Sequence, residues 1–250
     1  MKTNFYTESI LYWAARGLSW TSQKLPPEWA VAVGAAIGGP IGFCLPKRRR
    51  MAMKHLRAAF GSEYTPAQYR KIIHRMFQHY GRVIMEIART PAMDFSYTDR
   101  YVIPAPEAKE RLDKALSLRK GAIILAGHLG NWELAPAYTA MRGYSLLVLA
   151  RAQGLPRLNA LLNGFRESKG CKVIAKGFPI RELIRGLRGG QVVGMVSDQD
   201  GGPRGVLAPF FGRLASTAPG AISLHLKTGA PLLPCATFRV AGAGITYRSV

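Results

Sequence analysis

The stretch from Gly121 to Leu134, GAIILAGHLGNWEL, constrains the fold more than any other part of the chain. Ala122 to Ala126 is an unbroken apolar run of strand length, as expected of a strand buried on both faces. Gly127, His128, Leu129 and Gly130 form a loop, and Asn131 is a candidate N-cap before Trp132, Glu133, Leu134 and Ala135 open a helix. This places an imidazole where a strand ends and a helix begins. In open α/β sheets ligands bind at that edge, because its loops are free of the sheet and the helix N-terminus attracts negative charge. Glu133 lies in the first helical turn, where its carboxylate either approaches His128 or simply complements the helix dipole. The pair is a general base in outline, although a loop histidine and a first-turn glutamate are also common without any catalytic role.

Around this segment strand and helix signals alternate. Strands are expected at 145–150, 172–175, 191–197, 232–240 and 245–250, and helices at 155–168, 180–187 and 219–227, with Gly170, Gly177, Gly189 and Gly190 as stops. Upstream, Thr65-Pro66 begins a long helix running to about Arg89, with apolar residues recurring at three and four positions. His74 and His79 fall within it at a spacing that does not suit a metal pair on one helical face. A connecting region marked by Pro91, Pro104 and Pro106 leads to a more polar helix from Glu107 to Arg119. The pattern predicts an α/β fold, a mostly parallel central sheet with helices on both faces. With 250 residues, 48% of them hydrophobic, one substantial core is expected and a second full domain is not.

Several polar residues are placed by the same reasoning. Asp198 and Asp200 end the 191–197 strand at the same kind of edge as His128, so Asp198 competes with Glu133 to orient the imidazole. Arg166 sits on a helix with Leu158, Leu161, Leu162 and Phe165, either solvated or offering its fork to a phosphate or carboxylate. Gly201-Gly202-Pro203-Arg204-Gly205 and Ala208-Pro209-Phe210-Phe211-Gly212 read as a loop that either closes over an apolar chain or packs on the surface.

The N-terminal region is of another kind. Trp29 to Leu45, WAVAVGAAIGGPIGFCL, carries no charge, and Pro26-Pro27-Glu28 is a good helix start. Gly38-Gly39-Pro40 should end that helix after about a dozen residues, giving a rod of roughly 20 Å, short of the ~30 Å hydrocarbon core. A re-entrant or interfacial segment is therefore expected rather than a span. KRRRMAMKHLR follows at once, with Lys47, Arg48, Arg49, Arg50, Lys54 and Arg57 and no acid among them. A basic run beside an apolar segment suits an anionic headgroup layer, and the aromatic-rich stretch before it suits either an interfacial helix or one packed on the domain. Glu8 and Arg16 interrupt any signal-peptide core. The net charge of +21, from 35 Lys plus Arg against 14 Asp plus Glu, also fits nucleic acid, but no zinc, RNP-type or helix-turn-helix signature accompanies it. Three widely spaced cysteines give no disulfide framework and no metal spacing.

His128 followed five positions later by Glu133 inside AGHLGNWEL resembles the histidine–acid motif of the glycerolipid acyltransferase superfamily. With HLRAAFG, GFRESKG around Arg166 and SDQDGGPRGVLAPFFG after Ser197, the chain from about Leu56 to Ala230 most resembles the lipid A late acyltransferases (lauroyl and myristoyl transferases) and relatives that acylate other glycolipids. The resemblance implies residues 1–60 as a membrane-associating helical segment and residues 61–250 as an acyltransferase α/β domain. It also implies transfer of a fatty acyl group from a thioester, on acyl carrier protein or coenzyme A, to a hydroxyl of a phosphorylated glycolipid. His128, Glu133 and Asp198 would be catalytic, and Arg166, Asn131, Arg151, Asp200 and Arg204 would bind substrate. No metal or organic cofactor is implied, and the expected partners are the donor, the glycolipid acceptor and an anionic membrane surface, with no nucleic acid. The expected location is the cytoplasmic face of an inner membrane. Relatives continue past the strand-like end at Val250, so the chain reads as truncated at its C-terminus.

Overall fold

A computed structural model of the protein describes residues 5–150, 154–175, 180–240 and 245–249. Helices α1 (Phe5–Lys24), α2 (Pro27–Phe43), α3 (Pro46–Phe60) and α4 (Pro66–Ala88) come first. They are followed by α5 (Phe95–Tyr101), the short strand β1 (Val102–Pro104) and α6 (Ala108–Ser117). The alternating part consists of β2 (Ala122–Ala126), α7 (Leu134–Met141), β3 (Leu146–Ala150), α8 (Pro156–Glu167), β4 (Cys171–Ala175), α9 (Ile180–Arg188) and β5 (Val192–Val196). A hairpin, β6 (Val206–Phe210) and β7 (Arg213–Thr217), precedes α10 (Gly220–Thr228), β8 (Leu232–Cys235), β9 (Thr237–Arg239) and β10 (Tyr247–Ser249).

Five strands form a sheet in the order β4-β3-β5-β2-β8, every neighbouring pair parallel. The side chains alternate between its two faces, as the two-residue period requires. Ile123, Leu147, Val193 and Met195 pack with Leu183 and Leu187 of α9 and Leu224 of α10. Ala122, Leu146 and Val192 pack on the opposite side with Leu112 and Ala115 of α6 and Ala140 of α7. Helices thus cover both faces, as the continuous apolar runs predict. A second sheet, β1-β10-β9, lies over a cluster containing Tyr97, Tyr101, Leu134 and Tyr247.

Three local readings of the sequence are revised. The expected 232–240 strand divides at Ala236, β8 joining the large sheet and β9 the small one. The loop expected over 201–212 folds as a 3₁₀ turn at Gly202–Arg204 and the β6–β7 hairpin, whose tip residues Phe211 and Gly212 both have positive φ (48° and 70°). Such φ values are what a tight two-residue hairpin turn needs.

The third revision concerns α2, which passes through Gly38-Gly39-Pro40 unbroken to Phe43. Its glycines are a packing surface. A Cβ at Gly34 would come within 2.5 Å of the Gly81 carbonyl oxygen on α4, and one at Gly38 within 2.4 Å of the Phe77 oxygen. Close apposition of the two backbones offsets the ~3 kcal/mol cost of an interior proline. At ~1.5 Å per residue α2 is then about 25 Å long. Among the described residues no single helix is long and apolar enough to cross a membrane; α2 and α3 meet that requirement only as a pair, bent by 92°. The long helix α4 begins as its sequence predicts, Thr65 Oγ1 accepting from Gln68 N (3.3 Å) while Gln68 Oε1 accepts from Thr65 N (2.7 Å).

The N-terminal helices lie against the α/β part. Ser19 Oγ donates to the Ala88 carbonyl at 2.7 Å, and an Arg157 amide at the start of α8 donates to Glu8 Oε1 at 2.7 Å.

Candidate active site

The position of His128 follows from strand register. Strands β2 and β5 are adjacent and parallel, Ala122 opposite Val192 through Ala126 opposite Val196. The same offset of 70 continued past the strand ends brings His128 opposite Asp198. The backbone N–H of His128 donates to Asp198 Oδ2 at 2.7 Å, and Asp198 Oδ1 lies 2.7 Å from His128 Nδ1. Both carboxylate oxygens are thus engaged by one residue. Since an ionised carboxylate only accepts, Nδ1 carries the proton and Nε2 presents its lone pair. Gly127 permits this closeness, as a Cβ there would sit 3.2 Å from Asp198 Oδ2. Trp132 packs edge-on against the imidazole, ring centroids 4.9 Å apart.

Glu133 has a different partner. Arg166 Nε donates to Glu133 Oε2 at 2.8 Å and Nη2 donates to Oε1 at 2.6 Å, a two-pronged pair between α8 and the N-cap of α7. Arg166 Nη1 donates to Asn163 Oδ1 at 2.9 Å. Burial works against the guanidinium charge, but the hydrogen-bonded Glu133 more than offsets it and holds Arg166 above its ordinary pKa. Beside the pair lies Cys171, whose thiol is pushed up to about 11, chiefly by burial. The helix begins two residues later than its sequence suggests, at Leu134, and Asn131 makes an Asx-type turn instead of a cap, its Oδ1 accepting from Glu133 N at 3.1 Å.

The motif loop is anchored through Asn131 by Glu86, Arg239 and Tyr247, residues that no sequence motif singled out. Asn131 is 1% exposed, and its Nδ2 donates to Glu86 Oε2 at 3.1 Å. That oxygen also accepts from Tyr247 OH (2.6 Å) and Arg239 Nη2 (3.0 Å). Burial raises the Glu86 pKa, and the adjacent Arg239 opposes the shift. His79 donates from Nε2 to the Gly130 carbonyl at 3.0 Å, and burial holds its pKa below the ordinary value. Gly130 has φ +56°, and a Cβ there would lie 1.7 Å from the Thr237 carbonyl oxygen, so glycine alone fits. The available signal for Glu86 was its place as the lone charge in VIMEIA, within an apolar stretch of α4.

Of the other expected site residues, Asp200 accepts from Gly202 N at 2.9 Å and bridges to Thr217, forming the base of the hairpin. Arg204 is exposed in the 3₁₀ turn, and Arg151 lies outside the described residues. The structure therefore brings His128 together with Asp198, Glu133 with Arg166, and Asn131 with Glu86.

A model of the bacterial lipid A biosynthesis acyltransferase family matches residues 2–248. A phosphatidylinositol mannoside acyltransferase of Mycobacterium tuberculosis is 29% identical over 161 residues, covering 63% of this chain and 51% of its own. That of Mycolicibacterium smegmatis is 25% identical over 167 residues, 65% of this chain and 54% of its own. The lipid A biosynthesis lauroyltransferase of Escherichia coli is 24% identical over 228 residues, 90% of this chain and 72% of its own. The chain thus spans about half the length of the mannoside acyltransferases it matches.

Proposed function

The chain belongs to the bacterial lipid A biosynthesis acyltransferase family, and from that membership we propose that its site transfers a fatty acyl group from an acyl thioester to a hydroxyl of a phosphorylated glycolipid. The observation that carries this reading is the pair of hydrogen bonds from His128 to Asp198, which fixes the imidazole with Nε2 available as a base. The acceptor hydroxyl gives its proton to Nε2 as its oxygen bonds to the thioester carbonyl carbon. The tetrahedral adduct then expels the sulfur, which takes the proton from Nε2 and departs as a thiol. Asp198 orients the ring and stabilises the imidazolium formed between the two steps. Glu133 and Arg166 brace α7 against α8 beside the motif. With its thiol pushed up to about 11, Cys171 is largely protonated near neutral pH and does not compete as a nucleophile.

The relatives' names include lipid A and a phosphatidylinositol mannoside, which share a phosphorylated sugar headgroup, the acceptor class proposed for this chain. Its donor is an acyl thioester on acyl carrier protein or coenzyme A; both are anionic and would be steered by a +21 surface. The protein sits on the cytoplasmic face of an inner membrane. Two outward stripes support that placement: Ile10, Trp13 and Trp20 on α1, and Trp29, Val33, Ile37 and Ile41 on α2, all exposed. The basic helix α3 follows directly.

The test incubates the purified protein with acyl carrier protein and coenzyme A thioesters and with each of the two acceptor classes, followed by lipid mass spectrometry. The expected product is an acceptor heavier by one acyl group, formed by wild type and reduced ~10²–10⁴-fold in His128→Ala. Equal turnover in His128→Ala would overturn the mechanism.

A further inference from the structure

The β6–β7 hairpin stands out from the fold in an unusual way. Two-stranded hairpins are marginal in water on their own, and exposed apolar strands invite association. Here Leu207, Pro209, Leu214 and Ser216 share one face by register, and Leu207 and Leu214 are 64% and 68% exposed. On the other face and at the tip, Val206, Phe210 and Phe211 are also exposed. The tip reaches α3, Phe211 meeting Phe60 edge-on with centroids 5.3 Å apart. Between hairpin and helix runs an open groove of about 450 Å³, lined by Arg50, Met53, Lys54, Arg57, Ala58 and Arg213. Arg50, Lys54 and Arg57 recur at four and three positions, so they share one face of α3. None of the four cations forms a salt bridge with an acidic side chain among the described residues.

We infer that this hairpin and the cationic face of α3 form a second membrane contact, the apolar hairpin entering the interface of a lipid surface while the groove grips the phosphates of anionic phospholipids. An acidic protein would match the cations but leave Leu207, Phe210 and Leu214 in water, whereas a phospholipid surface satisfies both. Strands of this length span about 17 Å, and interfacial elements typically bury ~5–10 Å, so the tip inserts while the base stays outside. That base is tied to the site: Asp200 bridges Thr217 two residues after Asp198, and Gly201 N donates to the Ser216 carbonyl at 2.9 Å. Docking the hairpin would thus hold the strand end that carries Asp198 at the lipid surface. The inference rests on the membrane-surface reading above but assigns a contact separate from α1 and α2.

The experiment places an environment-sensitive nitrobenzoxadiazole label at Leu214→Cys in a Cys44→Ser, Cys235→Ser background, with a label at Ser117→Cys on α6 as control. Vesicles of phosphatidylcholine with and without phosphatidylglycerol are the probe. The expected result is a blue shift and brightening at position 214 but not at 117, stronger with phosphatidylglycerol. Arg57→Ala with Arg213→Ala should lower affinity for the anionic vesicles roughly 5-fold per charge removed. A protein that floats with vesicles while the 214 label stays unchanged would overturn the hairpin contact and leave attachment through α1 and α2 standing. Failure to float at all would overturn both. A double variant that loses only transfer from an acidic carrier protein, with vesicle responses unaltered, would assign the groove to the carrier and overturn the lipid contact.

Discussion

Replacing Asp198 by asparagine isolates the proposed role of its carboxylate. In the native site one oxygen accepts from the His128 amide and the other from Nδ1–H. The amide side chain is nearly isosteric but has only one accepting oxygen; its NH₂ must face one of those two donors. If the oxygen keeps the backbone N–H, the NH₂ faces Nδ1 and favours the tautomer with the proton on Nε2, which is the wrong one for a base. Turnover should therefore fall by about 10²–10⁴-fold. Stability should hardly change: the side chains of His128 and Asp198 are 30% and 42% exposed, so solvent screens the pair and its loss costs less than about 1 kcal/mol. Glu133→Ala should behave oppositely. Its bridge to Arg166 joins side chains only 16% and 19% exposed, and removing one partner of such a pair costs about 3–5 kcal/mol. In a protein of this size that lowers Tm by roughly 10 °C. The assay is acyl transfer read by mass spectrometry beside differential scanning fluorimetry on the same preparations. If Asp198→Asn keeps wild-type turnover, or if Asp198→Asn melts early while Glu133→Ala melts normally, the division of roles between the two carboxylates is wrong.

The remaining predictions use the same measurements. Arg166→Lys keeps a charge but cannot reproduce two parallel bonds to Glu133, so Tm should drop by several degrees; an unchanged Tm would show that the fork geometry is immaterial. Gly81→Ala puts a Cβ 2.0 Å from the Gly34 carbonyl oxygen and should destabilise strongly, whereas Gly17→Ala, with open space around it on α1, should be neutral or stabilising by up to ~1 kcal/mol in urea unfolding. His79 has its folded pKa held down by burial, so the unfolded chain binds the extra proton in the window between that value and its ordinary ~6.5. Its contribution to stability is therefore lost as pH falls through that window, and urea unfolding at pH 7.5 and 5.5 should show a smaller acid loss in His79→Gln than in wild type.

Much of the fold was legible because its signals are local. A five-residue apolar run flanked by Gly121 and Gly127 is too short for a helix and suits a buried strand, and Thr65-Pro66 with Gln68 caps a helix wherever the chain goes next. These fixed the alternating α/β order and put His128 at a strand end. Local signals failed where a distant surface decided: the proline and glycines of α2 read as a break, yet those glycines let its backbone lie against α4, and that packing outweighs intrinsic propensity. The choice between Glu133 and Asp198 was likewise undecidable along the chain, since both carboxylates sit at suitable edges. Only the β2–β5 register sets Asp198 opposite His128, and only the approach of α8 to α7 commits Glu133 to Arg166. The support of the motif loop, Glu86 with Arg239 and Tyr247, joins residues more than 150 positions apart, a pairing that exists only once the β1-β10-β9 sheet has packed against α4.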